Sequence, residues 1–304
     1  MRPTICELVG VNYGDIEMKE RRKMTKRDVA TQFLDSNLTQ FRCPSCHAAF
    51  RQVADGTVTC EAGHAFDLSK KGTLFFLKAP VTTEYTTEML TNRQKVLGAG
   101  FFDPMLKVVQ RFLTPGLILD AGSGEGTTTK WLATHQPNSA FVGIDISKPA
   151  ITLAGSGPAS EHQPLFAVGD LARLPFADNG LAGLVNILSP ANYQEFDRVL
   201  APGGRLIKVI PNAHYLQELR ALVYPEGNHA TYDNGPVKRH FMAHYPNASV
   251  TPVSYDFDLT PDLFAALFAM TPLTWQAMDR KSAILQQGLT HVTADFEVAV
   301  VTVP

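Results

Sequence analysis

This sequence predicts an α/β fold: a doubly wound, largely parallel sheet of Rossmann-like form, with a small cysteine-bearing module in front of it. Three observations carry that expectation. From residue 117 onward, short apolar runs (LILDAG, AFVGIDI, LFAVGD, LAGLVNIL, RLIKVI) alternate with helix-like segments (TTTKWLATH, KPAITLAG, YQEFDRVL). Such alternation implies parallel β-α units with helices on both faces of one sheet. A glycine-rich turn, LILDAGSGEGTTTKWLA, follows the first run. Three of the four cysteines fall in one window, FRCPSCHAAFRQVADGTVTCEAGHAF. The rest of the composition excludes other classes. With 45% apolar and 18% charged residues and a net charge of −2, the 304 residues are neither a disordered chain nor a uniformly basic one. Four cysteines cannot staple a chain of this length as a disulfide scaffold. No apolar run reaches the ~20 residues of a bilayer span. The first residues lack a basic segment followed by a long apolar core, so a cytoplasmic location is expected.

Along the chain, residues 1–40 read as an N-terminal extension. Its stretch MKERRKMTKRD is expected to be a disordered, solvated tail, with a weak phosphate-seeking arm as the alternative. Met24 is a second candidate start, and Cys6 a free thiol without a role.

Residues 41–80 form the cysteine module. Cys43-x2-Cys46 is followed, thirteen residues later, by Cys60-x3-His64. Zinc takes four soft or borderline ligands in a tetrahedron, and two such knuckles supply them. Asp55-Gly56 is a hairpin-turn signal, so RQVADGTVTC reads as strand, turn, strand. That is the layout of a zinc ribbon. A redox C-x2-C pair needs neither a third cysteine nor a histidine at this spacing. His47 is the rival fourth ligand. With four protein ligands the metal is structural, because a catalytic zinc keeps a position open. Residues 81–115 (EMLTNRQKVLGAG, PMLKVVQRFL) read as a helical connector, and 116–304 as the α/β domain.

The glycine turn sits where a buried strand ends, at Asp120, and a helix begins near Thr127. Gly122, Gly124 and Gly126 allow a tight turn and close approach of a ligand to the backbone, and the helix start offers unpaired N–H groups. The spacing is G-x-G-x-G, not the G-x-G-x-x-G of a dinucleotide site. The next strand ends at Asp145, about 20 residues on, where an acid can hydrogen-bond ribose hydroxyls. Asp170 and Leu171 close the third strand. Asn186 lies on the fourth, GLVNILSP, and EFDRVLAPGGRLIKV supplies a helix, a Pro-Gly-Gly turn and a fifth strand.

This ordered set resembles the motifs of class I S-adenosylmethionine-dependent methyltransferases. From residue 41 to the C-terminus the chain further resembles the guanine-N1 methyltransferases of 23S ribosomal RNA, through the C-x2-C…C-x3-H pattern, HAFDLSKKGTLFFL, NRQKVLGAGFFDPM, NILSP, PNAHYLQEL and MTPLTW. The resemblance implies a zinc site of Cys43, Cys46, Cys60 and His64. It implies a cofactor site of Asp120, Gly122, Gly124, Glu125, Gly126, Asp145, Ile146, Asp170, Leu171, Asn186, Phe102 and Tyr215. Asp170 and Leu171 would face the adenine. Phe102 stands where the family often has Tyr, and Tyr215, with His214 just before it, where the family often has His.

The activity implied is methyl transfer from S-adenosylmethionine to N1 of a guanine in a 23S rRNA hairpin loop. This is a displacement in which the protein aligns the partners. Guanine N1 carries a proton at neutral pH, so a base is expected. His214, Glu218 and Asp120 are its candidates. The base would be unstacked and admitted near Ser189, Pro190 and Tyr193. In the ribbon region Arg42, Arg51, Lys70, Lys71 and Lys78 outnumber Asp55, Glu61 and Asp67, so RNA contact is expected there. The alternatives are a small-molecule methyltransferase with a structural zinc module and a non-catalytic RNA-binding protein. No membrane partner is expected, and a homodimer gripping one RNA is left open.

Overall fold

The computed structural model describes residues 24–160, 162–225 and 233–304. The first helix, α1 (Lys26–Asn37), begins at a capping box: the Thr25 hydroxyl takes the Asp28 N–H, and the Asp28 carboxylate takes the Thr25 N–H at 2.9 Å. Such a box satisfies two orphan donors of the first turn. Ala30 and Leu34 bury the inner face of α1. Residues 24–40 are therefore folded rather than a solvated tail. Cys6 and the rest of 1–23 lie outside the described residues.

β1 (Phe50–Ala54), β2 (Thr57–Cys60) and β3 (Ala65–Asp67) form a small antiparallel sheet in the order β1-β2-β3, with Asp55 and Gly56 at positive φ in the hairpin turn. β4 (Thr73–Phe75) leaves this sheet and pairs in parallel with β7 of the large one. Residues 41–80 thus end inside the large sheet. Two helices follow, α2 (Thr87–Gly98) and α3 (Asp103–Phe112).

The large domain then alternates β5 (Leu117–Ala121), α4 (Thr127–His135), β6 (Ala140–Asp145), α5 (Lys148–Ala154), β7 (Leu165–Val168), β8 (Leu181–Ile187), α6 (Tyr193–Val199) and β9 (Leu200–Pro211). It closes with α7 (Gln217–Val223), α8 (Gly235–His244), β10 (Ser249–Asp258), α9 (Pro261–Met270), a 3₁₀ segment (Pro272–Arg280), α10 (Lys281–Gln287) and β11 (His291–Thr302). The eight strands lie in the order β10-β11-β9-β8-β5-β6-β7-β4. β4 to β9 run parallel, and β11 and β10 are antiparallel additions. The chain winds from β5 out to β7, then returns to β8 on the other side of β5. That reversal makes a crevice at the carboxyl ends of β5 and β8, where open α/β sheets bind ligands. Buried side chains pack into apolar clusters around this sheet, one against α3, α7 and α9 and another reaching α1 and the cysteine module.

The small module is fastened to the sheet. Phe41 pairs by backbone with Phe176 and their rings lie 5.0 Å apart. The Arg42 N–H bonds to the Pro175 carbonyl, and Arg173 donates to the Ser45 carbonyl at 3.0 Å. No helix among the described residues is long and apolar enough to cross a membrane.

Candidate functional site

The turn after β5 is built for glycine. Gly122 has φ 83, and a Cβ there would stand 1.9 Å from the Ser189 Oγ. Gly126, also at positive φ, would place a Cβ 2.8 Å from both the Ala154 methyl and the Phe166 ring. Each of these positions excludes any larger residue twice, by conformation and by space. Gly124 donates its N–H to the Asp145 Oδ2 at 2.9 Å, and Ser147 donates to the Asp145 Oδ1 at 2.8 Å. The end of β6 is thereby bolted to the turn. Burial pushes the Asp145 carboxyl above the ordinary carboxylate range. Ile146, the next residue, is an exposed apolar side chain beside it.

Asp120 lies inside β5, 1% exposed, and accepts the hydroxyls of Thr129 at 2.6 Å and Thr128 at 3.1 Å. Burial pushes its carboxyl up to about 6 from an ordinary 3.8. Glu125 is as deeply buried, and its Oε2 stands 3.0 Å from the Arg93 Nε of α2. The same guanidinium covers the Phe102 ring at 5.6 Å. Gln94 also donates to the Glu125 carbonyl, at 3.4 Å. The connector helix α2 is thus one wall of the turn, and Arg93 is a site residue that sequence reasoning missed. Phe102 is buried between Phe101 and Phe296, and Tyr215 packs on the same two rings.

Across the turn lies a cavity of about 520 Å³ at the carboxyl ends of β8 and β9. Ser189, Pro190, Tyr193, Lys208 and His240 line it. Leu188 at its edge holds φ 52, a strained conformation for a branched side chain. Lys208 is 4% exposed, and its Nζ donates to the Asn186 Oδ1 at 2.5 Å and the Ser189 carbonyl at 3.1 Å. Asn186 spends its amide N–H groups on the carbonyls of Ala121 and Pro190. Its side chain is therefore committed within the protein, where it ties β8 to the glycine turn.

Asp170 is exposed at the end of β7, its Oδ1 accepting the Ala172 N–H. Leu171 follows, half-buried. Two base candidates sit apart from the cavity. Burial pushes the Glu218 carboxyl up, but hydrogen bonds from the hydroxyl and N–H of Thr293 outweigh it and leave it below the usual range, a poor proton acceptor. His214 is exposed, its Nδ1 3.4 Å from the buried Asp295.

In the small module the ligand atoms of Cys43, Cys46, Cys60 and His64 all lie within 4.8 Å of one another. The Sγ atoms of Cys46 and Cys60 are 3.8 Å apart, and the Cys60 Sγ is 3.6 Å from the His64 Nδ1. Sulfur and nitrogen at zinc-bond lengths on a tetrahedron stand about 3.5–3.8 Å apart. The spacing fits zinc, with Nδ1 as the histidine ligand atom. His47 lies outside the cluster.

Residues 118–204 match the family model of a methyltransferase domain. A protein of Bacillus subtilis (strain 168), provisionally named a 23S rRNA (guanine-N1)-methyltransferase, is 33% identical over 277 residues, which cover 87% of this chain and 97% of that protein. The chain belongs to the 23S rRNA (guanine-N1)-methyltransferase family. A 23S rRNA (guanine(748)-N1)-methyltransferase of Streptomyces fradiae is 31% identical over 186 residues, covering 59% of this chain and 65% of that one. Among solved structures, phosphoethanolamine N-methyltransferase 2 of Haemonchus contortus aligns with a TM-score of 0.45 at 14% identity, over 73% of this chain and 58% of that one, a likeness too slight to build on.

The residues present in this methyltransferase fit S-adenosylmethionine. Arg93, partly exposed beside the turn and held by the buried Glu125, offers a cation that suits the carboxylate of an aminoacid group. The Asp145 carboxylate keeps lone pairs for ribose hydroxyls, and the exposed Ile146 offers an apolar surface for a purine.

Two outcomes follow from the site. A carboxyl whose folded pKa is raised favours the folded state below its unfolded pKa and loses that advantage as pH rises through the folded value. Asp120→Asn is therefore expected to unfold at higher denaturant than wild type above pH 6, by ~1–3 kcal/mol, with the difference vanishing below pH 4, while affinity for S-adenosylmethionine falls. Equal stabilities at both pH values contradict the burial argument. Elemental analysis should find about one zinc per chain, and Cys60→Ser should lower both zinc content and melting temperature. Full zinc retention by a Cys43→Ser/Cys46→Ser double variant contradicts the assigned ligands.

Proposed function

We propose that the protein transfers a methyl group from S-adenosylmethionine to N1 of a guanine in a hairpin loop of 23S ribosomal RNA. The observation that carries the reading is family membership across nearly the whole of the Bacillus subtilis relative. The fold supports it in two ways. The glycine turn with Asp145, Arg93 and Glu125 supplies a place for the donor, and the cavity behind Ser189 has room for an unstacked purine. S-adenosylmethionine supplies the electrophilic methyl when bound. The residues of the chain hold it, orient it against the cavity and keep the two partners in line, which is catalysis by positioning.

The zinc module is the proposed grip on the RNA. Its exposed arginines and lysines neutralise phosphates, a contact that needs a local patch rather than a basic protein. The module is fixed to the loop 173–177, so RNA held there is presented at a set distance from the cavity. A cytoplasmic site of action belongs to the same proposal, since the substrate is ribosomal RNA.

Purified protein incubated with methyl-labelled S-adenosylmethionine and unmodified 23S rRNA, or a hairpin fragment of it, is expected to yield labelled 1-methylguanosine. Label in small molecules alone, with none in RNA, contradicts the proposal.

A further inference from the structure

Lys208 is the residue of the acceptor cavity with the least ordinary surroundings. It lies on β9, packed against β8 in register with Asn186, and on the other side against β11 opposite Ala299. Among the described residues it has no ion pair and no carboxylate lines its cavity. The titratable side chains that share the cavity are Tyr193 from α6 and His240 from α8, and on the same face of β11, two residues from Ala299, the Glu297 carboxylate is ion-paired with Lys238 of α8 at 2.7 Å. A buried ammonium without a counterion is costly, and the amine answers by giving up its proton more readily. Burial holds Lys208 down to about 8.

The hydrogen bonds define what the nitrogen has left to offer. Both neighbours of Nζ, the Asn186 Oδ1 and the Ser189 carbonyl, can only accept from it. A neutral amine has two N–H groups, and these two acceptors take both. Its remaining position is a lone pair. Ser189 touches Gly122 of the donor-binding turn, and Asn186 bonds to Ala121 at the root of the same turn. The nitrogen is thus held at the border between the donor turn and the cavity by two groups that are themselves anchored to that turn.

We infer that Lys208 is the general base of the methyl transfer, taking the N1 proton of the guanine seated in the cavity. The inference rests on the function proposed above and supplies the proton acceptor that it needs. The atoms and charges balance. The N1–carbon bond forms as the carbon–sulfur bond breaks, the N1 proton passes to Nζ, and the positive charge of the sulfonium ends on the Lys208 ammonium. The donor leaves as a neutral thioether and the base as neutral 1-methylguanine. The ammonium returns its proton to solvent between turnovers. Asn186 and the Ser189 carbonyl act as positioning groups, since they reach the reaction through Nζ.

The test uses the full-length protein with three readouts. First, in protein carrying ¹³C-lysine and no donor, one Cε resonance, absent from Lys208→Met, is expected to titrate near pH 8. Second, single-turnover methylation of 23S rRNA is expected to rise with pH through the same range. Third, Lys208→Ala and Lys208→Arg are expected to lose about 10²–10⁴-fold in rate while binding S-adenosylmethionine as wild type does by calorimetry. Arginine keeps the charge but cannot act as a base. Small primary amines added to Lys208→Ala are expected to restore part of the rate. The inference is overturned if the Lys208 resonance titrates at an ordinary lysine value, a readout that needs no variant activity. It is equally overturned if Lys208→Arg keeps the wild-type rate, which assigns a fixed charge rather than a base. Wild-type protein that methylates RNA while these outcomes occur loses only the inference. Wild-type protein that methylates no RNA loses the function and the inference together.

Discussion

The close approach of Ser189 to Gly122 is the constraint on which the rest of the site depends. It joins the carboxyl ends of β5 and β8, the strands on either side of the reversal in chain order, with no room for a side chain between them. From that contact the donor turn runs one way, to Asp145 and the connector helix. The cavity proposed for the acceptor runs the other way, to Lys208 and Tyr193. A methyl transfer needs its reacting atoms about 3–3.5 Å apart and in line, and this architecture makes the two halves share a wall. Asn186 adds a second tie across the same border, from the Ala121 carbonyl to the Lys208 amine.

The zinc module serves the same geometry from outside. Its first knuckle is held by Arg173, which lies just past the Asp170–Leu171 strand end, and its last strand, β4, extends the large sheet beside β7. Lysines reinforce the join. Lys71 donates to the Thr152 carbonyl, and Lys26 and Lys130 to the carbonyls of Gly155 and Ser156, so three ammonium groups converge on the C-terminal end of α5. Cations are favoured at that end of a helix. Part of the local positive charge is therefore spent on docking the module, and the remainder, including Arg51 and Lys70, faces outward.

Much of this was legible in the chain because it depends on residue types with few substitutes. Glycines at positive φ, an acid at the ends of β5, β6 and β7, and C-x2-C…C-x3-H leave marks that spacing alone reveals. Other parts left weaker marks. α1 reads as a tail in the sequence because charges dominate MKERRKMTKRD, although Thr25 and Asp28 spell a capping box. β10 alternates half-buried and exposed residues at an edge, so its apolar signal is thin. β4 is three residues long and gains its partner only in three dimensions. The family resemblance implies a cofactor role for Asn186, and its side-chain bonds in the fold run to Ala121, Pro190 and Lys208. Arg93 and Lys208 were invisible because their meaning comes from burial. A lysine in RLIKVI reads as an ordinary strand residue until the sheet shows it without a counterion.

The measurement that tests the central claim most directly is nucleoside mass spectrometry, with position mapping, of 23S rRNA from cells with and without the gene. The account predicts that one 1-methylguanosine in a hairpin loop disappears on deletion and returns with the wild-type gene. An unchanged methylation map in the deletion strain would contradict it.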